Sequence, residues 1–337
     1  MMKALLTKLL GMRDLTVREA EQLLEALTSG KVPPSQAGAV LTALRMKGES
    51  MTELLGMARL LRRHCTPIDC GEKECIDIVG TGGDGGISFN VSTTRAFVAA
   101  GAGAVVAKHG NRAVSGKCGA ADVLAELGFN LLTSPDRMEY SIRTNGIGFL
   151  FAPAMHPMLG KVGPLRRELG FRTIFNMLGP LCNPAGASGI VLGVYDPKLC
   201  ELFAETLREL GVARAMVVAG HDGLDEISCS VSTRVAELAD GAIRCYELFP
   251  ELLLGSSYGR KEIAGGDAAT NAALLKSVLS GENQGAPRAI VLLNAGAAIR
   301  VAGLAEDMRE AIEIAGRSID SGAAMEKLEL LISESCK

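Results

Sequence analysis

The feature that most constrains the fold is a change of pattern near residue 70. Before it, the chain offers only helices. Thr16 and Glu19 form a capping-box pattern ahead of Leu23, Leu24 and Leu27, and Gly30 stops that helix. Pro33 and Pro34 open a second helix that carries Val40, Leu41 and Leu44 and ends at Gly48. Ser50 and Glu53 repeat the capping box ahead of Leu54, Leu55, Met57, Leu60 and Leu61. No strand candidate precedes Cys70. After it, short apolar runs, polar loops and helical stretches alternate. Strands are predicted at 75–79, 105–107 and 215–219, and helices at 91–102, 122–127, 196–210 and 267–279, with a helical end over 304–332. This order predicts a small all-helical N-terminal domain, residues 1–72, and a large α/β domain, residues 73–337, built on a mostly parallel sheet.

A chain of 337 residues exceeds the usual size of one hydrophobic core, in keeping with that division. It is 48% hydrophobic but only 4% aromatic, with no Trp, so Leu, Val, Ile, Ala and Met must fill the core. Net charge is −3 and no basic run offers a surface for nucleic acid. The first ten residues lack an apolar stretch long enough for a secretory or membrane segment, which predicts a soluble cytoplasmic protein with no membrane partner. Nine cysteines scattered singly point to free thiols in a reducing compartment. His64, Cys65, Cys70 and Cys75 invite a zinc reading, but the cysteines stand five apart, wider than zinc ligand pairs.

Ligands of open α/β sheets sit beyond the carboxyl ends of the strands. Three polar loops occupy that place. Gly80-Thr-Gly-Gly-Asp-Gly-Gly86 has five glycines in seven residues, which permits positive φ and an anion-binding nest of amides, though it is neither a Walker A loop nor a full dinucleotide fingerprint. Asn90-Val-Ser-Thr-Thr94 then starts a helix, where Asn90 or Ser92 can cap and the free amides favour anions. The second loop, Lys108-His-Gly-Asn-Arg-Ala-Val-Ser-Gly-Lys-Cys-Gly119, packs three cations into twelve residues and reads as a second phosphate clamp. The third, His221-Asp-Gly-Leu-Asp-Glu226, gathers three carboxylates in five residues, for which a divalent cation is the natural neutraliser; a solvated acidic turn is the plainer alternative. Arg166-Arg-Glu-Leu-Gly-Phe-Arg172 holds arginines that serve either as helix surface or as a fork for a carboxylate. Residues 173–184 read as an apolar helix ended by Gly179-Pro180.

Taken together these segments resemble the anthranilate phosphoribosyltransferase family. The matching pieces are Asp77-Ile-Val-Gly-Thr-Gly-Gly-Asp84, Phe89-Asn-Val-Ser-Thr93, Lys108-His-Gly-Asn-Arg112, Arg166-Arg-Glu-Leu-Gly170, Arg172-Thr-Ile-Phe-Asn176 and Asp222-Gly-Leu-Asp-Glu226, in the family's order and across nearly the whole chain. The resemblance implies that helices from about 165–185 join the small domain, that the chain is a homodimer through its helical part, and that the site lies in the cleft near the hinge. It implies phosphoribosyl pyrophosphate on Gly80, Gly82, Gly83, Asp84, Ser88, Asn90, Val91, Ser92, Thr93, Lys108, His109, Gly110, Asn111, Arg112, Ala113, Val114, Ser115, Gly116 and Ala120. It implies anthranilate on Gly80, His109, Asn111 and Arg166, magnesium on Ser92, Asp225 and Glu226, and Lys108, His109 and Arg166 as the catalytic group. Ala113, Cys118 and Ala120 depart from the family by standing where serines are frequent. The rival readings are a pyrimidine nucleoside phosphorylase of the same fold, and a nucleic-acid-binding relative without activity. The Asp225-Glu226 pair, Arg166 and the net charge of −3 favour the transferase.

Overall fold

The computed structural model describes all residues except 83–85, 87 and 114–116. Four helices come first: α1 (Met2–Leu10), α2 (Val17–Thr28), α3 (Pro34–Lys47) and α4 (Met51–Arg63). The capping box of α2 forms as expected, with Glu19 N donating to Thr16 Oγ1 and Thr16 N to Glu19 Oε2. In α4, Glu53 reaches back to Ser50 N at 2.8 Å, and its buried carboxylate also takes Leu15 N and the Lys47 ammonium. Leu23, Leu24, Leu27, Leu54 and Leu55 are all buried within the single chain. A homodimer through the helical part would therefore not rest on these leucine faces, which one chain covers: α2 packs on α4 and the bundle closes on the α/β domain.

The sheet has seven strands: β1 (Ile76–Gly80), β2 (Val106–Gly110), β3 (Ile147–Phe151), β4 (Gly189–Gly193), β5 (Arg214–Gly220), β6 (Thr233–Ala239) and β7 (Ala242–Leu248). Their order is β3-β2-β1-β4-β5-β6-β7, parallel through β5 and antiparallel beyond. Alternate residues feed two cores, as a period of two requires. Ile78, Val191, Met216 and Val218 face the core that holds α5 (Val91–Gly101) and the C-terminal helices Ala286–Val301, Met308–Asp320 and Ala323–Ser335. Val79, Ile190, Leu192 and Val217 face the core shared with the helix Leu199–Glu209 and the helical bundle. Among the described residues no helix is long and apolar enough to cross a membrane.

Several local expectations need correction. Strand β2 runs on to Gly110, so Lys108 and His109 belong to the sheet and not to the loop after it. The apolar stretch 173–184 is one helical turn, Phe175–Leu178, followed by a 3-10 turn, Gly179–Leu181. Asn176 turns its side chain to Thr173 N, and Pro180 has no N–H to continue the ladder. The helix expected over 196–210 begins only at Leu199, because the Asp196 carboxylate accepts Lys198 N ahead of it. Gly322, at φ 81, splits the helical end into two. The hairpin of β6 and β7 is additional to the strands predicted above. Its signal is Asp240-Gly241, where both residues have positive φ, as a two-residue turn demands.

Candidate active site

The chain enters the sheet at its centre with β1, winds outward to β3, and returns to the other side of β1 with β4. Crossovers on the two sides part above β1 and β4, and such a switch point leaves a crevice at the carboxyl ends of the strands. Gly80 and Gly193 end the two strands in register. Asp225 lies across both. A Cβ on Gly193 would run into the Asp225 carbonyl oxygen, and one on Gly80 would run into Asp225 Oδ2. These two glycines are therefore demanded by the close approach of the third loop. Gly82 N donates to Asp225 Oδ2 at 2.8 Å, so the first and third loops form one structure.

Glu226 is buried and pairs with Arg95 at 2.9 Å; the same guanidinium donates to Asn294 Oδ1 at 2.8 Å. Arg95 is fully buried in α5, three residues after Ser92, so one face of that helix carries both. Beneath them, Lys108 donates from Nζ to the Ile78 carbonyl at 2.7 Å, and burial pushes its pKa down to about 8 despite nearby Asp77 and Glu226. Asp77 is fully buried; its Oδ1 accepts the backbone amides of Ile78 and His109, while burial raises its pKa. The floor of the crevice is thus a buried set of charges held by one another and by backbone groups. Asp222, in contrast, closes the turn by accepting Ser228 Oγ and Leu224 N, and His221 pairs outward with Glu247.

The second loop contributes less charge than its composition suggests. Lys108 is buried in the floor, Arg112 is paired with Asp122 at 2.8 Å, and Lys117 is exposed. Gly110, Asn111, Arg112 and Ala113 lead out from β2, and Ala120 opens the helix Ala120–Glu126. Cys118 donates its thiol to Asn90 Oδ1 at 3.3 Å, and Asn271 Nδ2 donates to the same oxygen at 2.9 Å. Asn90 is spent there and does not cap α5, so the expected side-chain cap from Asn90 or Ser92 is absent. Gly80, Gly82, Ser88, Asn90, Val91, Ser92 and Thr93 follow the path from β1 to the first turn of α5, where Thr93 Oγ1 is buried without a hydrogen-bond partner among the described residues. Gly83, Asp84, Val114, Ser115 and Gly116 lie outside the described residues.

A second group of residues surrounds the end of β2. The His109 ring meets that of His156 edge-on, with centroids 5.0 Å apart. Burial, and for each a cationic or imidazole neighbour, pushes both pKa values down to about 4, so both rings are neutral at pH 7. His109 Nε2 and both ring nitrogens of His156 are buried with no hydrogen-bond partner among the described residues. Buried polar atoms of this kind call for a ligand or an ordered water. Arg166, in the helix Gly163–Leu169, lies over the Phe175 ring at 5.7 Å. Burial lowers its pKa, and none of the ion pairs among the described residues includes it. Arg95, Asp77 and His156 were not predicted as site residues. The first two had a legible signal, a charged side chain in a helix or strand that otherwise carries no charge.

A mostly parallel sheet with its crevice at a switch point, packed on a helical bundle, defines a class of α/β folds whose ligands bind beyond the strand ends. Residues 72–325 match the model described as the α/β domain of the glycosyl transferase family, and residues 3–65 match that family's helical bundle domain. The anthranilate phosphoribosyltransferase of Desulfatibacillum aliphaticivorans is 50% identical over 98% of each chain. The crystal structure of anthranilate phosphoribosyltransferase from Thermus thermophilus superimposes with a TM-score of 0.93 at 40% identity, covering 99% of both chains. The Saccharomyces cerevisiae enzyme, solved in complex with phosphoribosyl pyrophosphate and Mg, gives 0.89 at 29% identity, with 99% and 98% covered. The chain belongs to the anthranilate phosphoribosyltransferases of the glycosyl transferase family.

Proposed function

We propose that the chain transfers the 5-phosphoribosyl group of phosphoribosyl pyrophosphate to the amine of anthranilate. The products are N-(5-phosphoribosyl)anthranilate and pyrophosphate, a step of tryptophan biosynthesis. The observation that carries this reading is the charge gathered around the glycine loop. Asp225 is tied to that loop through Gly82 N and its neighbour Glu226 to Arg95, while Arg166, a half-buried cation with no ion pair among the described residues, lies over the Phe175 ring in the segment that continues to Arg172 and its contact with Gly82.

Magnesium fits the donor set. Asp225 and Glu226 supply hard oxygen donors, Ser92 adds a hydroxyl on the helix that Arg95 ties to Glu226, and magnesium takes one or two carboxylates with substrate phosphates. When bound, it would neutralise charge on the diphosphate. The amides of the glycine loop and of the first turn of α5 hold the phosphates, joined by those residues of the second loop that the family resemblance implies. The Lys108 and Arg95 charges act from within the floor. Arg166 forks the anthranilate carboxylate and sets the amine toward C1 of the ribose. His109 and His156 give neutral ring nitrogens that orient the acceptor without competing for its charge. The bond from C1 to the pyrophosphate oxygen breaks, the bond from C1 to nitrogen forms, and the amine loses a proton. That amine is already neutral at pH 7, so positioning and leaving-group stabilisation carry the rate, and no strong base is required.

The test is to mix the purified protein with anthranilate, phosphoribosyl pyrophosphate and magnesium and to follow anthranilate fluorescence. Loss of fluorescence that depends on all three is expected. Phosphorolysis of thymidine or uridine without any loss would replace this reading by the nucleoside phosphorylase. We further infer a cytoplasmic homodimer joined through the helical region. Exposed Leu10, Met12 and Met46 support it, the interior leucines being already covered. Sedimentation at micromolar concentration decides between dimer and monomer.

A further inference from the structure

Arg172 lies six residues after Arg166, in the segment that leads from the Gly163–Leu169 helix to Phe175. We propose that Arg172 is a positioning residue that locks Thr81 and Gly82, at the start of the glycine loop, and through Gly82 the Asp225 carboxylate, into the arrangement that receives the metal and diphosphate. The proposal rests on the function proposed above. Its guanidinium lies 4.0 Å from the centroid of the Tyr195 ring. From Nη2 it donates to the carbonyls of Gly82 at 2.8 Å and Thr81 at 3.2 Å. Gly82 stands at φ +62, a left-handed conformation natural to glycine, and both of its backbone polar groups are taken: the carbonyl by Arg172 and the amide by Asp225 Oδ2. Thr81 is held from below as well, its amide donating to the Gly193 carbonyl at 2.9 Å. The chain of contacts thus runs from Tyr195, two residues beyond β4, through Arg172 and Gly82 to a carboxylate of the acidic pair.

Arginine suits this place for physical reasons. A planar guanidinium can stack on a ring while its edge serves two carbonyls, whereas a lysine ammonium is a compact point charge that cannot do both. Arg45 of α3 adds a long contact to the Tyr195 hydroxyl at 3.4 Å, so the clamp reaches the helical bundle. Arg166 and Arg172 share one segment but meet different groups, the Phe175 ring for the first and the Thr81 and Gly82 carbonyls for the second. The two arginines then have separable roles: Arg166 meets the acceptor, and Arg172 orders the donor site.

The test compares wild type with R172K, R172A, Y195F and Y195L in three measurements. These are steady-state constants for both substrates, magnesium titration of activity, and amide hydrogen exchange across residues 78–82 of the free protein. Outer residues that orient metal ligands typically change affinity or activity about 10–100-fold when altered. R172K and R172A are expected to raise the KM for phosphoribosyl pyrophosphate and the magnesium requirement by about tenfold or more, with the KM for anthranilate changed by less than about threefold. Exchange at 78–82 should accelerate in both. Y195F keeps the ring and should behave as wild type, whereas Y195L should follow R172K in direction. Equal damage to both substrates, or unaltered exchange at 78–82 in R172K, would overturn the proposal. If R172A does not fold, R172K and Y195L still decide. If wild type does not use anthranilate, the functional reading fails, while exchange in the free protein continues to report whether Arg172 orders the loop.

Discussion

The floor and the rim of the crevice are built on opposite principles. In the floor, Asp77, Arg95, Lys108 and Glu226 are buried, and each is held by an opposite charge or a backbone group. In the rim, Arg166 and Arg172 are partly exposed and lie over the Phe175 and Tyr195 rings, Arg172 also donating to two carbonyls, while Asn111 and Arg112 are exposed and Arg112 pairs with Asp122. Taking charges out of water is expensive, so a buried set persists only when its members satisfy one another, and removing one strands the rest. Arg166, whose contact is a ring and no ion pair among the described residues, can be lost with that contact and little else, whereas loss of Arg172 is passed on through Gly82. The floor should therefore behave as a unit, and the rim as separable parts.

The largest effect should come from the acidic pair. Asp225→Asn and Glu226→Gln are expected to cripple turnover while the fold survives, since both replacements keep the shape of the carboxylate. Glu226→Gln should also destabilise the protein, because Arg95 loses its ion pair inside the core; breaking one partner of such a pair typically costs about 3–5 kcal/mol. High magnesium should restore part of the lost rate if the metal site is only weakened. Unchanged turnover across a magnesium titration in both variants would remove the metal role and leave the pair as structure alone.

Next comes Arg166→Ala at the rim. Loss of a buried fork to a carboxylate typically costs about 2–5 kcal/mol. The penalty should fall on anthranilate, with the KM for phosphoribosyl pyrophosphate moved much less, and melting temperature should stay near that of wild type. A variant that damages both substrates alike would make Arg166 a structural residue and erase the distinction between rim and floor.

A pH profile separates the two regions more gently. Burial holds the Lys108 pKa near 8 in the folded chain, below its free value of 10.5. If its charge serves the diphosphate, kcat/KM for phosphoribosyl pyrophosphate should fall above about pH 8, approaching tenfold per unit. Stability should move the other way. Below 8 both folded and unfolded chains carry the proton, and the folded state bears the penalty of burying it. Between 8 and 10.5 the unfolded chain binds more protons, so stability gained from Lys108 rises with pH. In Lys108→Met both limbs should vanish when compared with wild type. Activity that stays level to pH 9.5 in wild type would show that the floor's charge is structural.

Legibility in the sequence follows the same division, for a physical reason. Clusters of glycine and charge are conspicuous in a sequence, so Gly80, Gly82, Asp225, Glu226 and Arg166 are legible as candidates, although from the residues alone a plain turn, a solvated acidic turn or a helix surface is equally readable and only the family resemblance assigns them roles. Their partners lie in elements that read as plain core. Arg95 is the one charge in a helix of Val, Ser, Thr, Ala, Phe and Gly, and Asp77 the one charge in an apolar strand; each is a charge where the pattern demands none, and each holds the floor. Tyr195 and His156 carry no local pattern, because what makes them neighbours of Arg172 and His109 is the return of the chain from far away in sequence. The helical leucines show the converse limit. Periodicity identified their buried faces, but only the closure of the bundle on the sheet shows that one chain suffices to cover them.

The smallest effects are expected where the second loop departs from its family. Ala113→Ser, Cys118→Ser and Ala120→Ser, alone or together, should change kcat/KM only modestly. Ala113 is already fixed through its amide, which donates to Asp122 Oδ2 at 2.9 Å, and a new hydroxyl adds nothing to that bond. Cys118 already donates to Asn90 Oδ1, so a serine there exchanges a weak thiol donor for a stronger hydroxyl on the same acceptor. Ala120 begins a helix beside Gly110, where its Cβ would stand 3.2 Å from a Cβ built on that glycine; an added hydroxyl competes for little room. A neutral hydrogen bond contributes a net of about 0.5–1.5 kcal/mol, because water competes for the same partner. Charge-assisted contacts are roughly twice as strong. Lys108→Ala should accordingly do far more harm than the three serines together do good, and that inequality is the comparison of floor and rim in its smallest form. The measurement is kcat/KM for phosphoribosyl pyrophosphate in each variant. A hundredfold gain on restoring the serines, about 2.7 kcal/mol, would mean that the natural loop is impaired for this donor and that the chain's own substrate differs.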